Sequence, residues 1–412
     1  MTADTTVAAP EAISFGGEAN PYALYARLRR QAPVSHMSLP DGGEFWLVTR
    51  YADAREALAD QRLSKDPNKV GDRWRATVAQ PTDGEDASLV RHLLNVDPPD
   101  HTRLRRLVHK GFTPRRIEAL RGRIQEITDG LLDEMDEAAA AGEPVDLLDR
   151  FAFKLPVTVI CELLGVPLAD VDSIHDWSTA LSTLVADEEG HARVAAAAGQ
   201  LGGYLAELVE HKAGHPGDDL ISALIEARDE GQRLSHAELT AMAFLMLIGG
   251  HETTVHLIGN GMLALMLHPD QMTLLQNDPS LITSAVEEFL RYEGSVEVAT
   301  WRFATEDLDF GGVRVPAGAP VLVSLGSAGR DPERFENPDT FDITRGDAGH
   351  LVFGHGMHYC LGAPLARMEG QIAVGSLVRR FPDIRLAAPA DSLRWREGLL
   401  IRGLHELPVR LR

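Results

Sequence analysis

A chain of 412 residues with 44% hydrophobic and 25% charged residues can bury a large core, which excludes a disordered or collagen-like protein. Sixty-one Asp and Glu against 40 Lys and Arg leave a formal charge of −21, a balance that repels polyanions and argues against nucleic acid or an anionic membrane as partner. Two cysteines, Cys161 and Cys360, are too few for a disulfide framework and suit a reducing compartment. The first ten residues carry neither a basic run nor a hydrophobic stretch, and the longest apolar run, Ala241 to Ile248, is far below the roughly 20 residues that span a bilayer. The expectation is a soluble, cytoplasmic protein.

Residues 1–20 read as a flexible N-terminus, and with no linker or repeat after them residues 21–412 read as one domain. Helices are expected at Tyr22–Leu28 and Ala52–Leu58, flanking a strand at Glu44–Thr49. From Asp66 to Asn95 scattered Pro, Gly and Asp suggest a long mobile loop, with Asp83, Glu85 and Asp86 forming an acidic cluster. Thr113 as N-cap and Pro114 at the first helical position open a long amphipathic helix to about Ala140. Ser235 and Glu238 form a capping box for a helix that runs to about Leu267, apolar on all faces from Phe244 to Ile248 and therefore buried through the core. Gly249 and Gly250 within it cost about 1 kcal/mol each relative to Ala, so a functional or packing reason is expected. Strand-like alternation appears only from Leu308 to Leu325. The fold class is mainly α with a small β region.

Cys360 lies in Phe353-Gly-His-Gly-Met-His-Tyr-Cys-Leu-Gly362, a glycine-bearing loop leading into a helix with Pro364 in its first turn. Backbone N–H groups and a helix N-terminus aimed at sulfur favour thiolate; on these residues alone a buried structural cysteine is an equal alternative. The order Phe353, Gly356, His358, Cys360, Gly362 resembles the proximal loop of the cytochrome P450 family. Further segments agree with it: Glu288 and Arg291 three apart, Gly249 to Thr254 inside the long helix, and His101 with Arg105 on one helix face. Cys161, on an apolar helix face, reads as core.

The resemblance implies a single-domain P450 fold with a long central helix and a cysteine loop beneath haem b. It implies Cys360 thiolate as axial iron ligand, Phe353 packed on the ligand side, and Gly354, Gly362 and Gly249 giving the porphyrin and its ligands room. Thr253 and Glu252 would activate O2 as cosubstrate and relay protons, Thr253 bonding back to a carbonyl and opening the helix locally. His101, Arg105, Arg302 and His358 match propionate-binding positions; a cation 4 Å from a carboxylate is worth about 4 kcal/mol before desolvation. Glu288 and Arg291 match a structural lock. Its third member falls at Thr340, where the family has Arg, which leaves Arg345 as the candidate substitute.

No flavin or iron–sulfur motif is present, so electrons must come from outside, as the family implies from a ferredoxin and a ferredoxin reductase. Between His101 and Arg123 the charge is +7 while the rest of the chain carries −28, and Arg103, Arg106, Lys110, Arg115 and Arg116 are the expected docking face. The resemblance implies a substrate pocket at Leu245, Gly249, Val296, Val298, Leu400 and Ile401. Glu85 is the candidate contact for a substrate amine, although a solvated loop tip is the simpler account of the acidic cluster. The expected activity is hydroxylation or epoxidation of a bulky apolar metabolite of macrolide, polyketide or terpenoid type by a monomeric enzyme. A peroxygenase or coupling enzyme is the rival within enzymes; a haem-based sensor or binding protein is the rival of another class.

Overall fold

The computed structural model describes residues 10–13, 15, 17, 20–40, 42–77, 89–139, 142–182, 188–346 and 349–412. Asp83, Glu85 and Asp86 lie outside the described residues. The helices are α1 (Tyr22–Gln31), α2 (Tyr51–Ala59), α3 (Asp100–Gly111), α4 (Pro114–Ala119), α5 (Arg121–Ala138), α6 (Lys154–Leu164), α7 (Val171–Ser182), α8 (Glu188–Gly214), α9 (Leu220–Glu226), α10 (His236–Leu267), α11 (Pro269–Asn277), α12 (Ile282–Glu293), α13 (Leu325–Gly329) and α14 (Ala363–Arg380).

The axis of the molecule is α10. Ser235 Oγ accepts from Glu238 N at 3.2 Å and Ser235 N donates to Glu238 Oε2 at 2.9 Å, so the expected capping box closes the N-terminus. The helix is 32 residues long, about 48 Å, and packs against α6, α8, α12 and α14. Among the described residues it is the one helix long and apolar enough to cross a membrane, yet most of that apolar stretch is buried inside the protein; it is the core helix. Cys161 on α6 is fully buried within the same core, and burial pushes its thiol up to about 12.

The single helix expected from Thr113 to Ala140 is two. Thr113 Oγ1 does accept from Arg116 N, but Leu120 N bonds back only three residues, to Ile117 O at 3.0 Å, and this tight turn ends α4 before α5 begins.

The β region is a six-stranded sheet in the order β1-β2-β3-β9-β6-β4, built from Glu11–Ala12, Val34–Ser38, Glu44–Val48, Pro320–Val323, Arg302–Ala304 and Leu63–Ser64. Strands β5 (Val145–Asp146), β10 (Arg385–Leu386) and β11 (Pro408–Arg410) form a second sheet, and β7 (Leu308–Phe310) with β8 (Val313–Val315) a hairpin. Where the N-terminal stretch is described it is docked, contrary to expectation. Glu11–Ala12 pairs in parallel with β2, Ile13 and Phe15 are buried, and Gly17 N donates to Arg396 O, because those two apolar side chains cover a cluster shared with α1 and β3.

Candidate functional site

The cysteine loop is shaped by its own main chain. Gly354 N donates to Leu351 O at 2.7 Å and Cys360 N to Phe353 O at 2.8 Å. Gly354 and Gly356 have φ of 76° and 74°, a region side chains rarely adopt. A Cβ at Gly356 would also stand 3.1 Å from Ala59 Cα, so the loop closes onto α2 only with glycine there. Gly362 and Ala363 N–H groups donate to the Cys360 sulfur; burial nonetheless outweighs them, and Arg105 and Arg367, in pushing the thiol up. Cys360 itself is exposed, however, so its sulfur is open to a metal ion, which would favour the thiolate as the two amides and the two guanidiniums do.

Phe353 packs under the guanidinium of Arg367, 4.4 Å from its ring centre. Arg367 in turn donates to Glu287 at 2.6 and 2.9 Å, and Glu287 also bonds His350 at 3.1 Å. Burial opposes ionisation of Glu287, but Arg367 and His350 hold its carboxyl down to about 2. Neither Glu287 nor Arg367 was anticipated. The available signal was that Arg367 lies seven residues after Cys360, two helical turns on and thus on the loop-facing side.

His101, near the start of α3, and His358 in the loop meet with ring centres 4.3 Å apart. Both Nε2 atoms are buried without a hydrogen-bond partner. Arg302, at the start of β6, is buried and donates only long bonds, 3.3 Å to Leu58 O and 3.4 Å to Thr300 O. Burial pushes His358 down to about 2 and Arg302 down to about 10; His101, Lys65, Arg302 and Arg105 add to the effect on His358. A small cavity of about 20 Å³ lies against Arg302, His358, Asp97 and Leu58. A buried surplus of cations and unfilled donors is costly unless an anion completes it, and the two carboxylates of a haem fit this donor set.

Arg105 donates to Met357 O and Tyr359 O, both at 2.8 Å, and so fastens α3 to the cysteine loop, while its charge also bears on His101 and His358 beside it. The two neighbouring loop carbonyls present a fork of acceptors that a planar guanidinium matches.

On α10, Leu245, Ile248 and Thr253 are half-buried and Gly249 is exposed, a stripe at helical spacing. A Cβ at Gly249 would meet nothing within 4 Å, so this glycine answers to open space in front of the helix and not to packing. Thr253 Oγ1 donates to Gly249 O at 2.9 Å and Thr254 Oγ1 to Gly250 O at 3.2 Å, as expected, yet the helix is continuous through this point. The hydroxyls supplement the ladder without breaking it. Glu252 is buried about 100° round the helix from Thr253. Burial opposes its ionisation, but His256 Nε2 at 3.6 Å and Arg396 Nη1 at 3.8 Å hold its carboxyl down to about 2.

Of the other wall residues, Val296 bridges to Ile401, and Glu297 N donates to Leu400 O at 2.8 Å, leaving Val296, Leu400 and Ile401 half-buried. Val298 is fully buried in a cluster with Tyr25, Leu28 and Leu322, because α1 covers it; it is a core residue and not part of the pocket wall.

The structural lock forms as expected. Glu288 and Arg291, both 2% exposed, pair at 2.7 and 2.8 Å. Arg291 also donates to Gly329 O, Pro338 O and Thr340 O. Arg345 Nε lies 3.2 Å from Glu288 Oε2, so the charge missing at Thr340 is supplied five residues later.

The basic segment, by contrast, is answered from within the chain. Arg103 pairs with Glu238, Arg106 and Lys110 with Asp229 at 3.1 and 2.9 Å, and Arg116 with Asp218 at 3.1 Å, while Arg115 is exposed. The expected unopposed patch is therefore reduced, because acidic residues from the α9–α10 region fold over it.

The sequence model described as "Cytochrome P450" matches residues 192–400. The cytochrome P450 monooxygenase PikC of Streptomyces venezuelae is 48% identical over 417 aligned positions, covering 100% of this chain and 97% of the relative. The vitamin D(3) 25-hydroxylase of Pseudonocardia autotrophica is 50% identical, covering 95% and 93%. The solved structure of the tirandamycin C-bound P450 monooxygenase TamI superposes with a TM-score of 0.86 at 48% identity, covering 98% of this chain and 100% of that one.

Proposed function

Because this chain belongs to the cytochrome P450 family and is a haem-thiolate monooxygenase, we propose that Cys360 holds the haem iron and that His101, Arg302 and His358 take the propionates. The observation that carries this assignment is the pair of orphaned imidazole nitrogens beside a buried arginine, two residues from the cysteine. Bound there, the haem supplies activation of O2 with two electrons delivered from outside.

The protein's own groups do the rest. Gly362 and Ala363 N–H groups steady the sulfur, Phe353 and Arg367 back the loop, and Arg105 ties the loop to α3. Thr253 Oγ1 is the hydroxyl that presents a proton on the open side of α10, released from Gly249 O when a stronger acceptor arrives. Glu252, kept as carboxylate by His256 and Arg396, collects protons on the adjoining face.

The substrate reading is a bulky apolar metabolite of macrolide or polyketide size, hydroxylated or epoxidised at the open stripe of Leu245, Gly249 and Thr253 facing Val296, Leu400 and Ile401. The uncrowded space at Gly249 supports it. The relatives, one named for vitamin D(3) and one bound to tirandamycin C, support bulk without naming the molecule. A ferredoxin with its reductase is the proposed electron source, meeting the protein near Arg106, Lys110, Arg115 and Arg116, and the enzyme is proposed to act as a cytoplasmic monomer.

The test is the absorbance spectrum of the reduced carbon monoxide complex. Wild type is expected to show the far red-shifted thiolate band, and Cys360→Ala and Cys360→His to lack it. A wild-type spectrum of histidine-ligated haem would refute the assignment. Product formation with NAD(P)H, reductase and ferredoxin is expected in wild type only.

A further inference from the structure

Outside the residues that the family resemblance points to, one buried cation stands against the same wall. Lys65 follows β4, is 2% exposed, and spends its ammonium on main-chain and hydroxyl acceptors: Thr300 O at 3.0 Å, Thr300 Oγ1 at 2.5 Å and Trp301 O at 2.5 Å. Those two residues lead directly into Arg302. On its other side Lys65 N donates to Asp97 Oδ1 at 2.9 Å, the second Asp97 oxygen accepts from Ser64 Oγ, and Asp97 O accepts from His101 N at 2.9 Å. One short segment thus connects the strand that carries Arg302 with the helix that carries His101.

The charges do not balance. Two basic side chains, Lys65 and Arg302, are buried here against Asp97, whose oxygens already accept from Ser64 and from the Lys65 main chain. No carboxylate bonds either cation among the described residues. Burial, and then Arg302, push the Lys65 ammonium well below its usual range, with Asp97 opposing. An uncompensated buried ammonium is expensive to keep, whereas three bonds to a single dipeptide fix that dipeptide closely.

We propose that Lys65 is a positioning residue for the haem: it holds the Thr300–Trp301 main chain so that Arg302 faces the propionates, and its charge is balanced by them. This rests on the reading of His101, Arg302 and His358 as the propionate site. The same bonds fix Thr300 and Trp301, four and five residues after Val296 of the proposed substrate wall, so haem retention and wall position are coupled through one side chain.

The test uses holoenzyme of wild type, Lys65→Met, Asp97→Asn and Arg302→Met. Haem transfer to excess apomyoglobin and the iron midpoint potential are measured, with the reduced carbon monoxide band as the check that Cys360 still ligates. Lys65→Met is expected to lose haem roughly tenfold faster, as for loss of a partly screened buried charge, and to lower the potential. Asp97→Asn is expected to raise it, because the two variants remove charges of opposite sign. A loss of packing alone does not reverse sign between them. Unchanged haem loss in Lys65→Met, or potentials that move the same way in both variants, overturns the proposal. Lys65→Gln serves if Lys65→Met fails to accumulate. If Arg302→Met also keeps its haem, the propionate reading itself falls; if only Lys65→Met does, that reading stands and this one does not.

Discussion

The protein holds two buried charge clusters, and they are opposite in kind. In the Glu288–Arg291 pair both groups are fully bonded: the two acid oxygens take Arg291 and Asp342 N, and Arg291 takes three carbonyls as well, while Arg345 adds an ion pair whose Nε makes no hydrogen bond. In the His101–His358–Arg302 cluster two ring nitrogens are orphaned and the arginine has only long bonds. The bonded pair fixes α12 against the segment before the cysteine loop, whereas donors left without acceptors match an anion. The difference separates residues that hold the fold from residues that hold a ligand.

Arg291→Met tests the complete cluster and carries the largest expected effect. Removing one partner leaves Glu288 buried and unpaired, at about 3–5 kcal/mol, so the expected outcome in denaturant titration is a collapse of the midpoint or no soluble haem-loaded protein. Near-normal stability would mean that this cluster, too, is dispensable to the fold.

Glu369 on α14 sharpens the contrast. It is as buried as Glu288, but one of its oxygens has no partner, and burial pushes its carboxyl up to about 8. An unfolded glutamate titrates near 4.3, so between about 4.5 and about 8 the native state binds one proton more than the unfolded state. Stability therefore falls as pH rises through that window and levels off above it. Glu369→Gln is expected to remove this decline and to raise the urea midpoint at pH 7.5 by the equivalent of about 2–4 kcal/mol, a value discounted for relaxation around the group. A slope unchanged in the variant would show that Glu369 is paired and ionised in solution.

Arg302→Met addresses the incomplete cluster. It is expected to leave the unfolding midpoint within about 1 kcal/mol of wild type, because little is bonded to this side chain, while speeding haem loss by roughly ten- to a hundredfold, the loss of one charge-assisted pair. Stability and haem retention falling together by similar amounts would erase the distinction drawn between the clusters. The smallest effect is expected on the surface. Charge reversal at Arg106 and Arg116 is expected to raise the KM for ferredoxin only about threefold at low salt, since Asp229 and Asp218 already offset these residues. Unchanged KM and salt dependence would remove this face from docking.

The split between what could and could not be read in advance follows distance along the chain. Ser235 with Glu238, Thr253 with Gly249, and Glu288 with Arg291 are within four residues of each other, and periodicity alone brings such pairs together. Phe353 to Gly362 was legible for the same reason, since its glycines shape the loop locally. Spacing placed the lock's third member at Thr340 and left Arg345 as the candidate substitute, and the ion pair of Arg345 with Glu288 agrees. The break between α4 and α5 at Leu120 was missed locally, but what was missed at the site concerns partners far apart in sequence. The bonds of Arg105 to loop carbonyls more than 250 positions away were not foreseen from its helix face. Val298 was assigned to the pocket, but α1 arrives to bury it. The net +7 of the basic segment was counted without the acids that fold over it.

By itself, then, the sequence determined the helical class, the central capped helix, the cysteine loop and the lock, because each is encoded in short-range spacing that secondary structure converts directly into geometry. Only the tertiary structure decided which buried charges are satisfied. Whether His101, His358, Arg302 and Lys65 have partners depends on main-chain carbonyls and carboxylates delivered by elements from distant parts of the chain, and no local periodicity records where those will arrive.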